Sequence, residues 1–229
     1  MYATRSSTPL MPPPTGALAI PGSDIDRVER LDDLVRIYEP EVQLCYLPRS
    51  VDPRIEVYLQ SAAPRLGAGL RQVVGIAEGT PASALPDLPG RQALVQDIDQ
   101  WMAVYGDLLD CQRVVLRLEV IRYAMCPRFH VDRTGIRLLC TYRGPGTQWL
   151  SEAQAQRSRL GHGASGLADD ASGLILSEAG MGEVPLHAIA LLKGELWQGN
   201  AGRGAIHRSP AVPEQDAPRI LLSLDAVWD

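Results

Sequence analysis

Two side chains in the stretch PRFHVDRTG, His130 and Asp132, have the types and the spacing of metal ligands. The stretch lies between two runs of alternating apolar residues, which predict strands. Residues two apart in an extended segment point to the same side, so both side chains would reach one ion. The alternative is a turn in which Asp132 accepts backbone N–H groups before Gly135. We favour metal binding.

A third ligand is predicted at His207, in the sequence GAIHRSP between two later strands. Two imidazoles and one carboxylate on one side of a metal form the facial triad of non-heme Fe(II) oxygenases, which leaves coordination positions open. We expect His207 to reach the first pair from across a barrel. The alternative is a structural histidine that lines the sheet.

Arg219 follows His207 by twelve residues and begins the last predicted strand, RILLSLDAV. A guanidinium fork suits a carboxylate. The order H-x-D, His, Arg resembles that of 2-oxoglutarate-dependent oxygenases with a double-stranded β-helix, and the resemblance implies that Arg219 binds the distal carboxylate of the cosubstrate. The alternative is an ion pair with Glu214, Asp216 or Asp225.

Four further residues are predicted to surround this site. The turn sequence YRGPGTQWL (142–150) precedes a glycine-rich stretch, 151–182, which predicts a long loop. We expect Tyr142 to contact the cofactor, and Gln148 and Trp149 to line a substrate pocket. His162, within the loop, is predicted to close over a substrate, the alternative being an exposed loop histidine.

A longer set of motifs, CPRFHVDRTGIRLLCTYRGPGTQWL, IHRSP and RILLSLDA, resembles the bacterial family called domain of unknown function 1826. The resemblance covers most of the chain beyond its N-terminal tail and implies the fold and the site of that family. Its members are associated with zinc-responsive gene neighbourhoods and a metallochaperone-like GTPase. The resemblance therefore also implies such a GTPase as a partner.

The elements that must position these residues are predicted to be mainly helices in the N-terminal part of the chain and mainly strands in the C-terminal part. We predict a flexible Pro-rich tail (1–22) and one domain (23–229), whose helical part ends near 112. The fold class is α+β: a C-terminal double-stranded β-helix, or cupin-like jelly roll, with the N-terminal helices packed on it. The predicted helices lie within 23–40, 54–75 (in two pieces) and 91–111, and the predicted strands within 42–47, 113–123, 135–144, 147–150, 187–197, 204–210 and 219–228.

Composition and charge narrow the function classes. The net charge of −5 argues against a nucleic-acid or anionic membrane surface, and no apolar run is long enough for a membrane span. The four cysteines form no CxxC pair, which predicts reduced, buried thiols and a cytoplasmic protein. We therefore expect a small-molecule substrate.

Three functional hypotheses remain. The first is an Fe(II) oxygenase, with 2-oxoglutarate as cosubstrate, that oxidises a small molecule or a side chain. The second is a Zn(II)-binding protein of metal homeostasis without redox activity, in which Cys126 would add a thiolate ligand. The third is a β-sandwich-like binding module whose H-x-D motif is structural.

Overall fold

The computed structural model describes residues 23–123, 125–212 and 217–228. The predicted tail, 1–22, lies outside these residues, as do Glu214 and Asp216. No helix within the described ranges is both long and apolar enough to cross a bilayer. The elements are β1 (Ile25–Arg27), β2 (Leu44–Leu47), α1 (Pro53–Ala62), β3 (Gly69–Gly75), α2 (Arg91–Leu109), β4 (Arg113–Ile121), β5 (Ile136–Arg143), β6 (Gln148–Leu150), β7 (Met181–Glu183), β8 (Ile189–Lys193), β9 (Ile206–Arg208) and β10 (Arg219–Val227).

These strands form two sheets, so the protein is of the mixed α+β class. The larger sheet has seven strands in the order β1-β2-β8-β5-β10-β4-β3, and the smaller has three in the order β7-β6-β9. From β4 onward the chain passes repeatedly between the two sheets. Every strand pair is antiparallel except β1 with β2.

The main core lies between the helices and one face of the large sheet. Strand β4 alternates, with Leu116 and Leu118 buried toward the helices and Arg117 and Glu119 on the opposite face, where they line a pocket. Helix α2 contributes the apolar stripe that its helical spacing predicted. The period-2 pattern thus places Arg117 and Glu119 on the opposite face. That face also carries a second cluster of buried apolar residues, which includes Leu139 and Leu221.

The N-terminal part contains more strand than predicted. The predicted helix within 23–40 is instead strand β1 followed by a 3-10 helix, Leu31–Tyr38. The second piece of the predicted 54–75 helix is strand β3, which pairs along its length with β4. Two glycines with positive φ, Gly67 before β3 and Gly69 at its start, redirect the chain. Pairing with a distant strand overrides the local helical pattern here.

Lys193, at the end of β8, is almost fully buried, and its Nζ donates to the carbonyl oxygen of Glu39 at 2.8 Å. Burial lowers its pKa from the ordinary 10.5 to about 8. Above pH 8 the folded lysine is neutral while the unfolded one stays protonated up to pH 10.5, so its contribution to stability rises with pH over this window.

We therefore expect the free energy of unfolding of the wild type, relative to Lys193→Met, to rise by about 2 kcal/mol between pH 7.5 and 9.5. Urea denaturation of both proteins at the two pH values measures this difference. The pH-dependent contributions of all other titrating groups cancel in this difference, because both proteins contain those groups. A difference that stays constant with pH would show that Lys193 is not neutralised in the fold.

Candidate metal centre

Backbone pairing places His130 directly opposite His207. Each backbone N–H donates to the carbonyl oxygen of the other residue at 3.0 Å, which adds the segment at His130 to the edge of the small sheet beside β9. Residues opposed in this way project their side chains to the same face. The two imidazole rings lie 4.5 Å apart between centroids. His207 therefore comes from the neighbouring strand and not, as predicted, from across a barrel.

Asp132 completes a group of three side chains that could hold a metal ion. Its Oδ1 lies 3.6 Å from Nε2 of His130, and its Oδ2 lies 3.6 Å from Nε2 of His207. All three side chains offer ligand atoms within 4.8 Å of one another. The two-residue spacing in H-x-D thus brings both side chains to the same side, as expected of an extended segment.

The outer nitrogen of each ring is held by the backbone. Nδ1 of His130 lies 2.9 Å from the carbonyl oxygen of Arg128, and Nδ1 of His207 lies 2.9 Å from that of Ala205. A carbonyl only accepts, so each Nδ1 carries the proton and each Nε2 keeps its lone pair. Two lone pairs and a carboxylate then converge with no proton between them, an arrangement that a cation stabilises.

The charge states of Asp132 and His207 suit a metal. Burial alone would raise the pKa of Asp132, but its contact with His130 and the nearby His207 and Arg137 hold it well below its ordinary value. Burial lowers the pKa of His207 to about 4. For His130, burial acts in the same direction, but the contacts with the Asp132 carboxylate and the Arg128 carbonyl oxygen together outweigh it, and the pKa is raised. A metal ion would have to displace the proton that this shift favours. An ionised carboxylate and a neutral imidazole are the forms that bind metal.

Arg137 is a member of the site that the sequence did not reveal. Its Nη1 donates to Oδ2 of Asp132 at 2.5 Å, and its Nε and Nη2 contact Asp225 at 2.8 and 3.0 Å. Arg117 also donates to Asp225. Asp225 therefore joins two arginines, one of which orients the candidate metal ligand.

Arg219 is buried and has no acidic partner among the described residues. Its guanidinium contacts Thr147 Oγ1 (2.9 Å), Thr141 Oγ1 (3.1 Å), Ser209 Oγ (3.5 Å) and the carbonyl oxygen of Pro145 (2.8 Å). Within the described residues no carboxylate pairs with it. Burial lowers its pKa to about 10. The structure excludes Asp225 as its ion-pair partner, and the other two predicted partners lie outside the described residues.

These groups share one pocket of about 320 Å³. It lies against the face of the large sheet opposite the helices, and its wall includes His130, Asp132, His207 and Arg219. A pocket of this size holds a small ligand, and buried charges in such a pocket mark candidate functional sites.

Tyr142 does not face this pocket, and its predicted contact with a cofactor is corrected. On β5, Leu139 lines the pocket and Thr141 contacts Arg219, whereas Cys140 and Tyr142 point to the helical side. The Tyr142 hydroxyl donates to Asp97 at 2.5 Å.

Three further predicted residues, Gln148, Trp149 and His162, lie outside the wall of this pocket. Gln148 accepts from Arg208 at 2.8 Å, and Trp149 packs against the apolar residues beside Gly182. His162 is exposed and lines a separate cavity that His130 also borders. Cys126 is exposed rather than buried as predicted, and it lines the pocket without joining the ligand group.

Asp169, in the long loop between β6 and β7, ties together the segments that carry both histidines. Its Oδ2 accepts from the backbone N–H of Phe129 at 2.8 Å and from Arg208 at 3.1 Å. These residues adjoin His130 and His207. Nothing in the sequence pattern near Asp169 signals this contact, because its partners are some forty residues away.

We expect Asp169→Asn to weaken metal binding about tenfold, because the supporting contacts of metal ligands typically contribute 10- to 100-fold to affinity. Equilibrium dialysis with Zn²⁺ measures the change. The matched control is Asp170→Asn, at the exposed neighbouring position, which should bind as the wild type does. Equal affinity of both variants would show that Asp169 does not position the ligands.

Solved structures similar to this chain include two dioxygenases and a prolyl-4-hydroxylase. The chain is similar to dioxygenase for auxin oxidation 1 from Arabidopsis thaliana, in complex with 2-oxoglutarate, with 10% identity, a TM-score of 0.50 and coverage of 90% of this chain and 92% of that one. The rice dioxygenase for auxin oxidation is 12% identical, with a TM-score of 0.47 and coverage of 89% of this chain and 83% of that one. The prolyl-4-hydroxylase from Pseudomonas putida is 10% identical, with a TM-score of 0.45 and coverage of 87% of this chain and 97% of that one. The likeness to the Arabidopsis enzyme shows a shared fold.

The family is shown by sequence. Residues 28–225 match DUF1826, described as a protein of unknown function, and the chain belongs to this family. No curated protein matches the chain.

Proposed function

We propose that this protein is an Fe(II)-dependent oxygenase that uses 2-oxoglutarate. The observation that carries the proposal is one pocket that holds both a His-Asp-His group and a buried arginine without an acidic partner in the described residues. Two imidazoles and one carboxylate are the ligand set of the facial triad. Bound iron and cosubstrate would supply the oxidising power to attack a C–H bond of the substrate.

A specific fold, the double-stranded β-helix, is part of the same proposal. We infer that the two sheets are the walls of a double-stranded β-helix, because the strands from β4 to β10 pass between them and the candidate site lies between them.

The residues of this chain have distinct tasks in the proposed reaction. His130, Asp132 and His207 would hold the iron, and Arg137 fixes the carboxylate of Asp132. Arg219 would bind the distal carboxylate of 2-oxoglutarate, with its guanidinium held in place by hydroxyls of neighbouring threonines. The burial of the arginine away from bulk water strengthens such a pair.

A Zn²⁺-binding role without redox activity is the competing function, because two histidines and one carboxylate also bind zinc. The group of ligands found in the described residues contains no cysteine. A soft thiolate ligand, which would favour zinc over iron, is therefore missing from it.

The test is to purify the protein without oxygen, measure bound metal, and follow 2-oxoglutarate binding and consumption after adding Fe²⁺ and then O₂. Calorimetry with the redox-inert Mn²⁺ form measures cosubstrate affinity independently of turnover. Metal-dependent 2-oxoglutarate binding supports the proposal. Tight Zn²⁺ binding without 2-oxoglutarate affinity in any metal form would overturn it in favour of the zinc-binding role.

A further inference from the structure

A second arginine without an acidic partner in the described residues lies at the other side of the same pocket. Arg71, on the edge strand β3, is exposed and lines the pocket. In the sheet register it stands directly opposite Arg117 of β4, which in turn stands opposite Ser223 of β10. All three residues line the pocket. Like charges directly opposed across two strands destabilise a sheet, so Arg71 and Arg117 form a pair whose repulsion an anion would relieve.

The pocket carries more positive than negative charge. Its wall includes five arginines but only two acidic residues, Glu119 and Asp132. Arg137 and Arg117 share Asp225, and Arg208 pairs with Asp169. Within the described chain, neither Arg71 nor Arg219 has a carboxylate at ion-pair distance, and Glu119 forms no ion pair with either.

The two arginines define separate positions for oxyanions. Arg219 stands opposite Ile121 on β4, whereas Arg71 stands opposite Arg117, four residues earlier on that strand. Four residues of strand extend about 13 Å. A small diacid bound by Arg219 and chelating the metal would therefore leave the Arg71 side of the pocket free for the substrate.

Apolar side chains line the pocket as well. Leu139 and Leu221 are buried in its wall, and Ile121 and Met125 border it. A ligand that fits this lining has an apolar body and an acidic end.

We propose that Arg71 and Arg117 bind an oxyanion, a carboxylate or a phosphate ester, on an otherwise apolar substrate. The inference rests on the proposed function in that it assigns Arg219 to the cosubstrate. Arg71 is then a specificity residue at the mouth of the pocket, and Arg117, held by Asp225, presents the second guanidinium.

The test compares the binding of 3-phenylpropanoate, phenyl phosphate and the neutral 3-phenylpropanamide by ligand-observed NMR. The protein carries Zn²⁺ and saturating 2-oxoglutarate, so that Arg219 is occupied. We expect at least one acid to bind more tightly than the amide, and the better acid identifies the oxyanion. Arg71→Gln should weaken acid binding about threefold to fivefold and leave amide binding unchanged.

The matched control is Arg65→Gln, which removes the same charge from an exposed arginine outside the pocket wall and should change nothing. Equal binding of acids and amide, no binding of either acid at millimolar concentration, or an acid preference that survives in Arg71→Gln/Arg117→Gln would overturn the proposal. The thermal midpoint of each variant verifies folding.

Two results separate the two proposals: the calorimetric affinity for 2-oxoglutarate, and the same NMR measurements made without metal and 2-oxoglutarate. If 2-oxoglutarate does not bind but the acid preference still depends on Arg71, the anion site stands and the oxygenase proposal fails. If 2-oxoglutarate binds and no acid preference exists, the oxygenase proposal stands and the anion site fails.

Discussion

The double variant His130→Ala/His207→Ala is expected to lower the affinity for Fe²⁺ or Zn²⁺ by at least about 100-fold. Loss of a supporting contact alone commonly costs 10- to 100-fold, and this variant removes two of the three ligands directly. Asp132 would remain, but its carboxylate is already bound by Arg137. Equilibrium dialysis followed by elemental analysis measures the loss.

The control for this variant is His162→Ala, because His162 is exposed and lies outside the ligand group. It should bind metal as the wild type does. His207 is buried, so the double variant must also be shown to fold, by circular dichroism and thermal denaturation. Equal metal binding by a folded double variant and by the wild type would contradict both the iron and the zinc functions.

The second large effect is expected from Arg219→Gln. A hydrogen bond to a charged group is worth about 1.5–3 kcal/mol, so 2-oxoglutarate should bind roughly 10- to 100-fold more weakly to the Mn²⁺-loaded variant. Calorimetry measures this affinity. Metal affinity should stay within about twofold of the wild-type value, because the contacts of Arg219 are with Thr141, Thr147, Ser209 and Pro145 rather than with the metal ligands.

Arg219→Lys is the informative companion variant. It keeps the positive charge but loses the planar fork, and it should recover only part of the affinity. If Arg219→Gln binds 2-oxoglutarate as tightly as the wild type, Arg219 is a structural residue and the cosubstrate lies elsewhere. A fall in metal affinity equal to the fall in cosubstrate affinity would instead indicate a general disturbance of the pocket.

The part of the site that follows from short-range rules was predictable. The geometry of His130 and Asp132 follows from the two-residue repeat of an extended chain. The assignment of His207 and Arg219 to the same site came from the resemblance of their order to that of 2-oxoglutarate-dependent oxygenases, and both residues line the pocket. Their mutual arrangement was not predictable, because the pairing of His130 with His207 joins residues 77 positions apart.

Other parts depended on facts that a single sequence does not contain. Strand β5 is buried on both faces, so the identity of its residues does not say which face carries the pocket, and Tyr142 was assigned to the wrong side. Arg137 and Asp169 join the site through contacts with residues distant in the chain. Strand β3 was taken for a helix because its partner β4 lies beyond the whole of α2.

The reciprocal peptide hydrogen bonds between His130 and His207 have a consequence for metal choice. They fix the bite of the two imidazoles before any ion arrives, so binding requires little reorganisation. Such a centre distinguishes poorly between divalent ions of similar radius, and affinity alone would then follow the Irving–Williams order, with Zn²⁺ ahead of Fe²⁺. For the proposed iron enzyme, mismetallation by zinc would therefore be the natural hazard, and iron occupancy would depend on which ion is supplied to the folding chain.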